Sequence, residues 1–242
     1  MGLLVSEPVR GLAGFAAMPL ARWLSAAPRG DGHGVLVLPG LLASDASTAV
    51  LRRFVRRLGY AVQGWNLGRN RGPTAEVLDG LPRDLSALAG RTARPVSLIG
   101  WSLGGIYARE LARRHPAQVR QVITLGSPFA LTDPRQSHAD RAYQRRGYLH
   151  AAGRVPARES LARPIGVPST AVYSRRDGIV AWQACIEPET ELHENVEVRC
   201  AHLGFGTDPA TLWLIADRLA APAGRPRRFS PPPGLRPHYP GR

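Results

Sequence analysis

The sequence contains no lysine. Its 32 basic side chains other than histidine are all arginine and face 18 acidic ones, which gives a formal net charge of +14. A nucleic-acid-binding protein is expected to concentrate such charge on one face beside a recognisable reading motif. The arginines here are scattered, and no such motif is present. A codon bias towards G and C would account for them. Attraction to anionic surfaces such as phospholipid head groups is the functional alternative.

Cysteine is almost as scarce. Cys185 and Cys200 are too few for a disulfide scaffold, and their spacing is not that of metal ligands. The sequence therefore predicts two free thiols, while a bridge between them in an oxidising compartment stays open. Neither these residues nor any others imply a metal or an organic cofactor.

Long hydrophobic runs are also missing, since no stretch approaches the roughly 20 apolar residues of a membrane-spanning helix. The apolar segment 11–20 follows Arg10, but Pro19 interrupts it and no clear small-residue cleavage site follows it. This pattern predicts a packed N-terminal helix rather than a signal peptide, and a cytoplasmic protein. Peripheral contact with anionic lipid surfaces is left open as the minor alternative.

The chain is long enough to form one sizeable core. Its 242 residues, of which 44% are hydrophobic, fit one α/β domain better than two small ones. We expect an apolar helical segment and linker at 1–32 and the folded domain at 33–220. Residues 221–242 are rich in proline, glycine and arginine and are expected to be disordered.

Short apolar runs alternate with helical periodicity through the central part of the chain. Runs that are hydrophobic on both faces are typical of central strands in a parallel sheet. The predicted strands lie at 35–38, 60–62, 96–99, 122–125, 170–173 and 196–198, and the predicted helices at 44–58, 74–88, 105–115 and 209–219. This order indicates a mostly parallel α/β sheet of about six strands with helices on both faces. Residues 130–165 break the alternation and are interpreted as a lid insertion.

The most specific motif is Gly100-Trp101-Ser102-Leu103-Gly104, between a predicted strand and a predicted helix. Such a junction holds a serine on a strained corner between two small residues and exposes its hydroxyl. The pattern alone is weak in a glycine-rich chain, but the change from strand to helix periodicity around it adds specificity. Ser102 is therefore the candidate nucleophile.

A serine hydroxyl needs a base to activate it. His202 is the candidate, because it follows the last predicted strand, and open α/β sheets place their sites at the carboxyl ends of strands. A histidine that only packs or caps the following helix is the alternative. The remaining histidines lie at the opposite sheet edge, at a helix end, in the insertion, in a polar loop or in the C-terminal segment: His33, His115, His138, His150, His193 and His238.

The base needs a carboxylate to orient it, and the reaction needs donors for the oxyanion. Asp177, in the turn after strand 170–173, is the preferred carboxylate over its rival Asp133. A turn aspartate paired with a neighbouring arginine is the structural alternative for Asp177. The expected oxyanion donors are the backbone N–H groups of Leu103 and of Leu41, in the loop after the first strand.

Apolar residues surround these positions in the sequence, and a pocket that they line would favour an acyl chain over a charged group. Those expected to contact the substrate, some of which would only pack beneath the loops, are Leu41, Leu42, Trp101, Leu103, Phe129, Ile179 and Phe205.

With serine, aspartate and histidine in this order, residues 33–220 resemble the α/β-hydrolase superfamily, most closely its small bacterial lipase and esterase members. The likeness is carried by the loop 35–41, the Ser102 motif, the turn 177–180 and the strand leading to His202. Pro39-Gly40 stand where the family usually has His-Gly, and the first two strands of the eight-stranded fold are missing. The resemblance implies ester hydrolysis through an acyl-enzyme, without a cofactor. Acyl transfer to another alcohol and a non-catalytic binding protein are the alternatives.

Overall fold

A parallel sheet forms the centre of the protein, whose computed structural model describes residues 23–151, 153–154, 158–224 and 227–241. The strands are β1 (Gly34–Leu38), β2 (Ala61–Gly64), β3 (Val96–Trp101), β4 (Val119–Leu125), β5 (Ser169–Tyr173) and β6 (His193–Glu197). They run in the order β2-β1-β3-β4-β5-β6, and every neighbouring pair is parallel. The carboxyl ends of all six therefore meet at one edge. The predicted six-stranded α/β sheet is confirmed.

Helices cover both faces of this sheet. They are α1 (Ala49–Arg57), α2 (Ala75–Thr92), α3 (Leu103–Arg114), α4 (Asp140–Gln144), α5 (Arg158–Leu161) and α6 (Pro209–Leu219). Along β1, Val35 and Val37 pack on the side of α1 and α6, whereas Leu36 and Leu38 pack on the side of α2 and α3. This alternation explains why the strand reads as a continuous apolar run, because side chains on both faces are buried.

Local signals fix the helix ends. The Thr74 hydroxyl accepts a hydrogen bond from the Val77 N–H at 3.3 Å and caps α2. Asp208 caps α6 in the same way through the Thr211 N–H at 2.8 Å, and Pro209 occupies the first helical position. Helix α2 continues beyond the predicted end at residue 88 and stops at Ala93, which has a left-handed backbone.

The described residues of the interpreted lid, 130–165, include the short helices α4 and α5 and lie at the carboxyl edge of the sheet. It is tied to the turn after β5 by two backbone hydrogen bonds, from the His138 N–H to the Ile179 carbonyl at 2.8 Å and from the Ala181 N–H to the Gln136 carbonyl at 2.7 Å. The insertion therefore borders the edge at which the candidate residues lie. Its movement as a lid stays a prediction.

The C-terminal segment differs from expectation. Phe229, Leu235 and Tyr239 are at most 3% exposed and join the hydrophobic cluster around α6. The Tyr239 hydroxyl donates a hydrogen bond to the Ala210 carbonyl at 2.6 Å. The described residues 227–241 therefore form a strap packed on the domain, which differs from the disorder that composition predicts for 221–242. The average composition of the segment does not reveal that Phe229, Leu235 and Tyr239 are buried, and burial of such large apolar side chains stabilises the packed strap.

Three other expectations concern the termini and the thiols. The helix predicted at 11–20 lies outside the described residues. In the part of the chain that the structure describes, no helix combines the length and hydrophobicity needed to span a bilayer. Cys185 and Cys200 are both free and buried, and burial raises the pKa of each thiol well above its usual value.

Candidate active site

Ser102 occupies a strained corner between β3 and α3. Its backbone has φ 54° and ψ −120°, a conformation that a residue with a side chain rarely adopts. The corner is held from the end of β4 and from the loop that follows, because the Ser102 N–H donates to the Leu125 carbonyl at 2.8 Å and the Ser127 hydroxyl donates to the Ser102 carbonyl at 2.7 Å. This is the backbone geometry that lifts a serine hydroxyl above the sheet.

The two glycines of the motif are required by close approach. A Cβ atom on Gly100 would collide with the Cα of Gly105, and one on Gly104 would collide with the Leu38 carbonyl. Helix α3 therefore starts directly against the backbones of β1 and β3. Larger residues here would push the helix, and Ser102 with it, away from the sheet.

His202 and Asp177 form a buried pair. Nδ1 of His202 lies 2.6 Å from Oδ2 of Asp177, and the two side chains are 5% and 1% exposed. The other carboxylate oxygen of Asp177 accepts the N–H groups of Ile179 at 2.8 Å and Val180 at 2.7 Å. These bonds fix the carboxylate while leaving Oδ2 to the imidazole. With Nδ1 occupied, Nε2 is the ring nitrogen that can take a proton from another group.

Two alternatives to the Asp177–His202 pair, an ion pair of Asp177 with Arg175 and the rival Asp133, are weakened because Arg175 and Asp133 have other partners. Arg175 donates to Glu197 at 3.1 Å and stacks on Trp182 with its guanidinium carbon 4.0 Å from the ring centre. The rival Asp133 caps the turn Pro134–Gln136 and pairs with Arg135 at 2.8 Å, and hydrogen bonds from Arg135 lower the pKa of its carboxyl group. Asp177 is the carboxylate that holds His202.

Further contacts bring the pair to the edge that carries Ser102. The indole N–H of Trp101, the residue before Ser102, donates to the His202 carbonyl at 3.2 Å. A Cβ atom on Gly126, which follows Leu125, would lie 3.0 Å from Oδ2 of Asp177 and 3.1 Å from Nδ1 of His202. The three predicted side chains thus follow β3, β5 and β6 at one edge of the sheet.

The two expected oxyanion donors border the same space. Leu103 is the first residue of α3, so its N–H belongs to the group that finds no partner inside the helix. Leu41 lines one cavity together with Ser102 and Leu103. Gly40, the residue before Leu41, packs on the serine, since a Cβ atom on Gly40 would lie 3.2 Å from the Ser102 Cβ.

Asn70 anchors this loop and was missed from the sequence. It is fully buried, and its side-chain amide donates to the Pro39 carbonyl at 2.9 Å. Its backbone carbonyl accepts the Leu42 N–H at 2.7 Å, and its N–H donates to the Ala43 carbonyl at 2.8 Å. The sequence marks Asn70 only as the start of a turn, in which its side chain accepts the Gly72 N–H at 3.1 Å. Its contacts with the loop after β1 have no local signal, because those partners lie far from it in the sequence.

An apolar cavity of about 430 Å³ adjoins Ser102 between the insertion, α2 and α3. Its wall is mainly hydrophobic, and no arginine occurs among the described residues that form it: Leu41, Pro73, Leu78, Ser102, Leu103, Ile106, Tyr107, Glu110, Pro128, Phe129, Leu131, Ser137, Ala139, Asp140, Tyr143, Gly147, His150, Ala151, Gly153 and Leu161. The high net charge of the chain therefore does not extend into this cavity.

The predicted substrate contacts are only partly found here. Of them, Phe129 lines the cavity together with Leu41 and Leu103. Trp101 and Phe205 are instead buried in the cluster on the opposite face of the sheet from Leu103. Ile179 packs near Val180 and Cys185, and Leu42 is 38% exposed at the surface. These four residues do not occur in the described wall of the cavity, and their contact with substrate stays a prediction. Nearness in sequence to the site does not determine the face of the sheet on which a side chain lies.

Comparisons with known proteins agree with this architecture. No family model matches the chain. The mature lipase BlEst2 of Bacillus licheniformis superposes with a TM-score of 0.59 at 16% identity, covering 80% of this chain and 94% of that one. Lipase B of Aspergillus fumigatus superposes with a TM-score of 0.60 at 15% identity, covering 79% of this chain and 53% of the lipase.

One curated relative adds a sequence match. A pimeloyl-(acyl-carrier protein) methyl ester esterase from Aromatoleum aromaticum is 38% identical over 74 residues, which are 30% of this chain and 27% of the relative. The match thus spans about a quarter of that protein. Together with the sheet order, the structural likenesses confirm the α/β-hydrolase fold that the sequence predicted.

Proposed function

We propose that this α/β-hydrolase-fold protein is a serine hydrolase that cleaves carboxylic esters of acyl or lipid type, with Ser102, His202 and Asp177 as its catalytic triad. The observation that carries the proposal is the strained serine at the end of β3, on the sheet edge where the buried Asp177–His202 pair lies. Strain of this kind is retained where function requires it. The names of the superposed lipases and of the esterase relative support the same class of reaction.

In the acylation step, the Ser102 oxygen attacks the ester carbonyl carbon. Nε2 of His202 takes the hydroxyl proton as the new C–O bond forms, and Asp177 stabilises the resulting imidazolium through Nδ1. The imidazolium then gives its proton to the leaving alcohol as the ester C–O bond breaks. The product of this step is an acyl-Ser102 ester.

The negative charge that develops on the carbonyl oxygen needs donors already in place. The N–H groups of Leu103 and Leu41 would supply them, one from the start of α3 and one from the loop that Asn70 holds. Donors fixed before the reaction require no rearrangement in the transition state, and loss of one such donor typically costs about 3 kcal/mol in the barrier.

Deacylation repeats the sequence with water. His202 removes a proton from the attacking water molecule, the acyl–Ser102 bond breaks, and the serine recovers its proton. The acid is released. Both steps use the same base and the same oxyanion donors, so one constellation serves the complete cycle.

The cavity limits the substrate. Its volume of about 430 Å³ lies in the range of small-ligand sites, and its wall is mainly aliphatic and aromatic. An acyl chain in this cavity would gain free energy from burial, whereas an anionic group would meet no arginine among the described wall residues. We therefore assign the cavity to an uncharged acyl portion of the ester.

A series of p-nitrophenyl esters from acetate to dodecanoate tests the proposal. Wild-type protein should hydrolyse members of the series, and Ser102→Ala should lose nearly all of this activity, by about 10⁴-fold or more in kcat. Ser86→Ala is the matched control, because Ser86 is exposed on α2 and bonds to Gln118. Equal activity of the wild type and the Ser102→Ala variant would overturn the proposal.

A further inference from the structure

Arg109 is a buried cation on the helix that begins at the nucleophile. It lies about two turns beyond Ser102 on α3, and its side chain is 1% exposed. One guanidinium nitrogen contacts Oε1 of Glu187 at 2.9 Å, and Glu187 is also 1% exposed. Glu187 in turn accepts the hydroxyl of Ser169, at the start of β5, at 2.8 Å. The ion pair thus joins α3 to the loop before β6 and to β5.

The guanidinium of Arg109 also packs against Phe129, a residue of the cavity wall. Its central carbon lies 4.0 Å from the centre of the Phe129 ring, within the range of a cation–π contact. Phe129 is 1% exposed and lines the cavity beside Ser102. The planar guanidinium therefore supports the ring that forms part of the cavity wall.

Arg109 also holds the end of the insertion. Its second terminal nitrogen donates to the Arg163 carbonyl at 3.1 Å, and Arg113 donates to the same carbonyl at 2.9 Å. Residue 163 follows α5, whose Leu161 lines the cavity. The Arg109 side chain thus contacts both Phe129 in the cavity wall and the backbone that follows Leu161, another residue of that wall.

Stability alone is a poor reason for this arrangement. Burial lowers the pKa of Arg109, and in the described part of the chain its Nε and the Oε2 of Glu187 have no hydrogen-bond partner. Replacing a buried ion pair by uncharged residues of similar volume is often neutral or stabilising. The contacts with Phe129 and Arg163 give the pair a role in positioning.

We propose that Arg109 is a positioning residue that fixes Phe129 and the base of the insertion, and so sets the depth of the acyl cavity and the chain-length preference of the enzyme. This inference rests on the proposed ester hydrolysis. The ring that Arg109 supports would otherwise tilt, the cavity would enlarge, and longer acyl chains would fit better.

The test compares double variants with matched burial. Arg109→Met with Glu187→Gln removes the pair and avoids leaving an unpaired buried charge. Arg218→Met with Glu194→Gln is the control, because Arg218 and Glu194 are 4% and 6% exposed, are 2.6 Å apart, and border a different cavity at the amino-terminal edge of the sheet. The measurement is kcat/KM for p-nitrophenyl dodecanoate divided by that for butanoate, with urea unfolding in parallel.

We expect this ratio to rise by about fivefold or more in the Arg109 pair variant and to change less than about twofold in the Arg218 pair variant. Arg109→Lys should keep the charge next to Glu187 but lacks the planar stacking surface, so its ratio should also rise while it stays folded. A wild-type ratio in the Arg109 variants, or an equal rise in the control, overturns the inference. Absence of any ester hydrolysis in the wild type would instead remove the proposed function itself.

Discussion

Oδ2 of Asp177 lies 2.6 Å from Nδ1 of His202, while Oδ1 of the same carboxylate is held by the Ile179 and Val180 N–H groups. The carboxylate therefore cannot rotate away without breaking backbone hydrogen bonds in its own turn. The hydrogen bond to this fixed carboxylate in turn fixes the orientation of the His202 imidazole ring. In the proposed reaction, this contact selects the ring nitrogen that faces the serine.

Asp177→Asn should lower kcat by about 10³- to 10⁴-fold, because an amide can donate to Nδ1 and favour the wrong tautomer of His202. The control is Asp133→Asn at the rival position, where the carboxylate caps an exposed turn. Its kcat should remain within about twofold of wild type. Ester hydrolysis at saturating substrate measures both, and a larger loss in the Asp133 variant would contradict the assignment of the acid.

Asn70→Ala should reduce kcat by about 10- to 100-fold, with a smaller change in KM. The variant loses the hydrogen bond that fixes the Pro39 carbonyl, so the N–H of Leu41 would no longer be held in place before the reaction. The effect should fall short of removing a donor outright. Tyr107→Phe removes only the 3.3 Å contact to the Asn70 side chain and should have a weaker effect. Steady-state kinetics on one ester compare the two variants. A larger loss of kcat in Tyr107→Phe than in Asn70→Ala would contradict the role of Asn70 in holding the loop.

Gly104→Ala should destabilise the protein by about 1 to 3 kcal/mol, because a Cβ atom at this position meets the Leu38 backbone, which cannot move freely. Gly90→Ala is the matched control within a helix, since open space surrounds a Cβ atom there. It should stabilise the protein by up to about 1 kcal/mol. Urea unfolding measures both changes. Equal effects at the two glycines would show that close packing of α3 is not the reason for Gly104.

At the amino-terminal edge of the sheet, the buried side chain of His33 should make folding stability depend on pH. His33 lies 2.8 Å from the Ser97 hydroxyl and contacts Asp31, and Tyr60 packs edge-on to its ring. Burial lowers the pKa of His33, with Arg120 and Arg94 adding to this effect, while Asp31 opposes it. The folded state therefore favours the neutral imidazole.

The sign of the effect follows from this direction. When the folded pKa lies below the unfolded value near 6.5, stability is complete above that value and is lost as the pH falls towards the folded pKa. The free energy of unfolding should therefore decrease more steeply from pH 7.5 to pH 5.5 in the wild type than in His33→Gln. Parallel urea-unfolding profiles would contradict a neutral His33.

The sequence predicted most of what positions the site, because the relevant signals are local. Continuous apolar runs such as the one in β1 mark strands buried on both faces, and Ser102 stands where strand periodicity changes to helix periodicity. Parallel strands then bring the residues after β3, β5 and β6 to one edge. The candidate triad needed no information on side-chain packing.

The contacts that depend on packing could not be predicted in this way. Trp101 and Phe205 lie close to the triad in sequence yet are buried on the far face from the cavity, and Asn70 acts on a loop distant in sequence. The strap that ends at Tyr239 has a composition typical of disorder, but a few buried side chains decide its state. Such outcomes depend on which surfaces meet in the folded protein, and local sequence patterns do not reveal this.

In the proposed reaction, Ser102 is a nucleophile that His202 activates. Mass spectrometry of intact protein treated with a fluorophosphonate, followed by peptide mapping, measures this activation without any assumption about the ester. We expect one adduct on Ser102 in the wild type, none in Ser102→Ala, and much slower labelling in His202→Ala. An adduct elsewhere, or labelling of Ser102 at the same rate without His202, would contradict it.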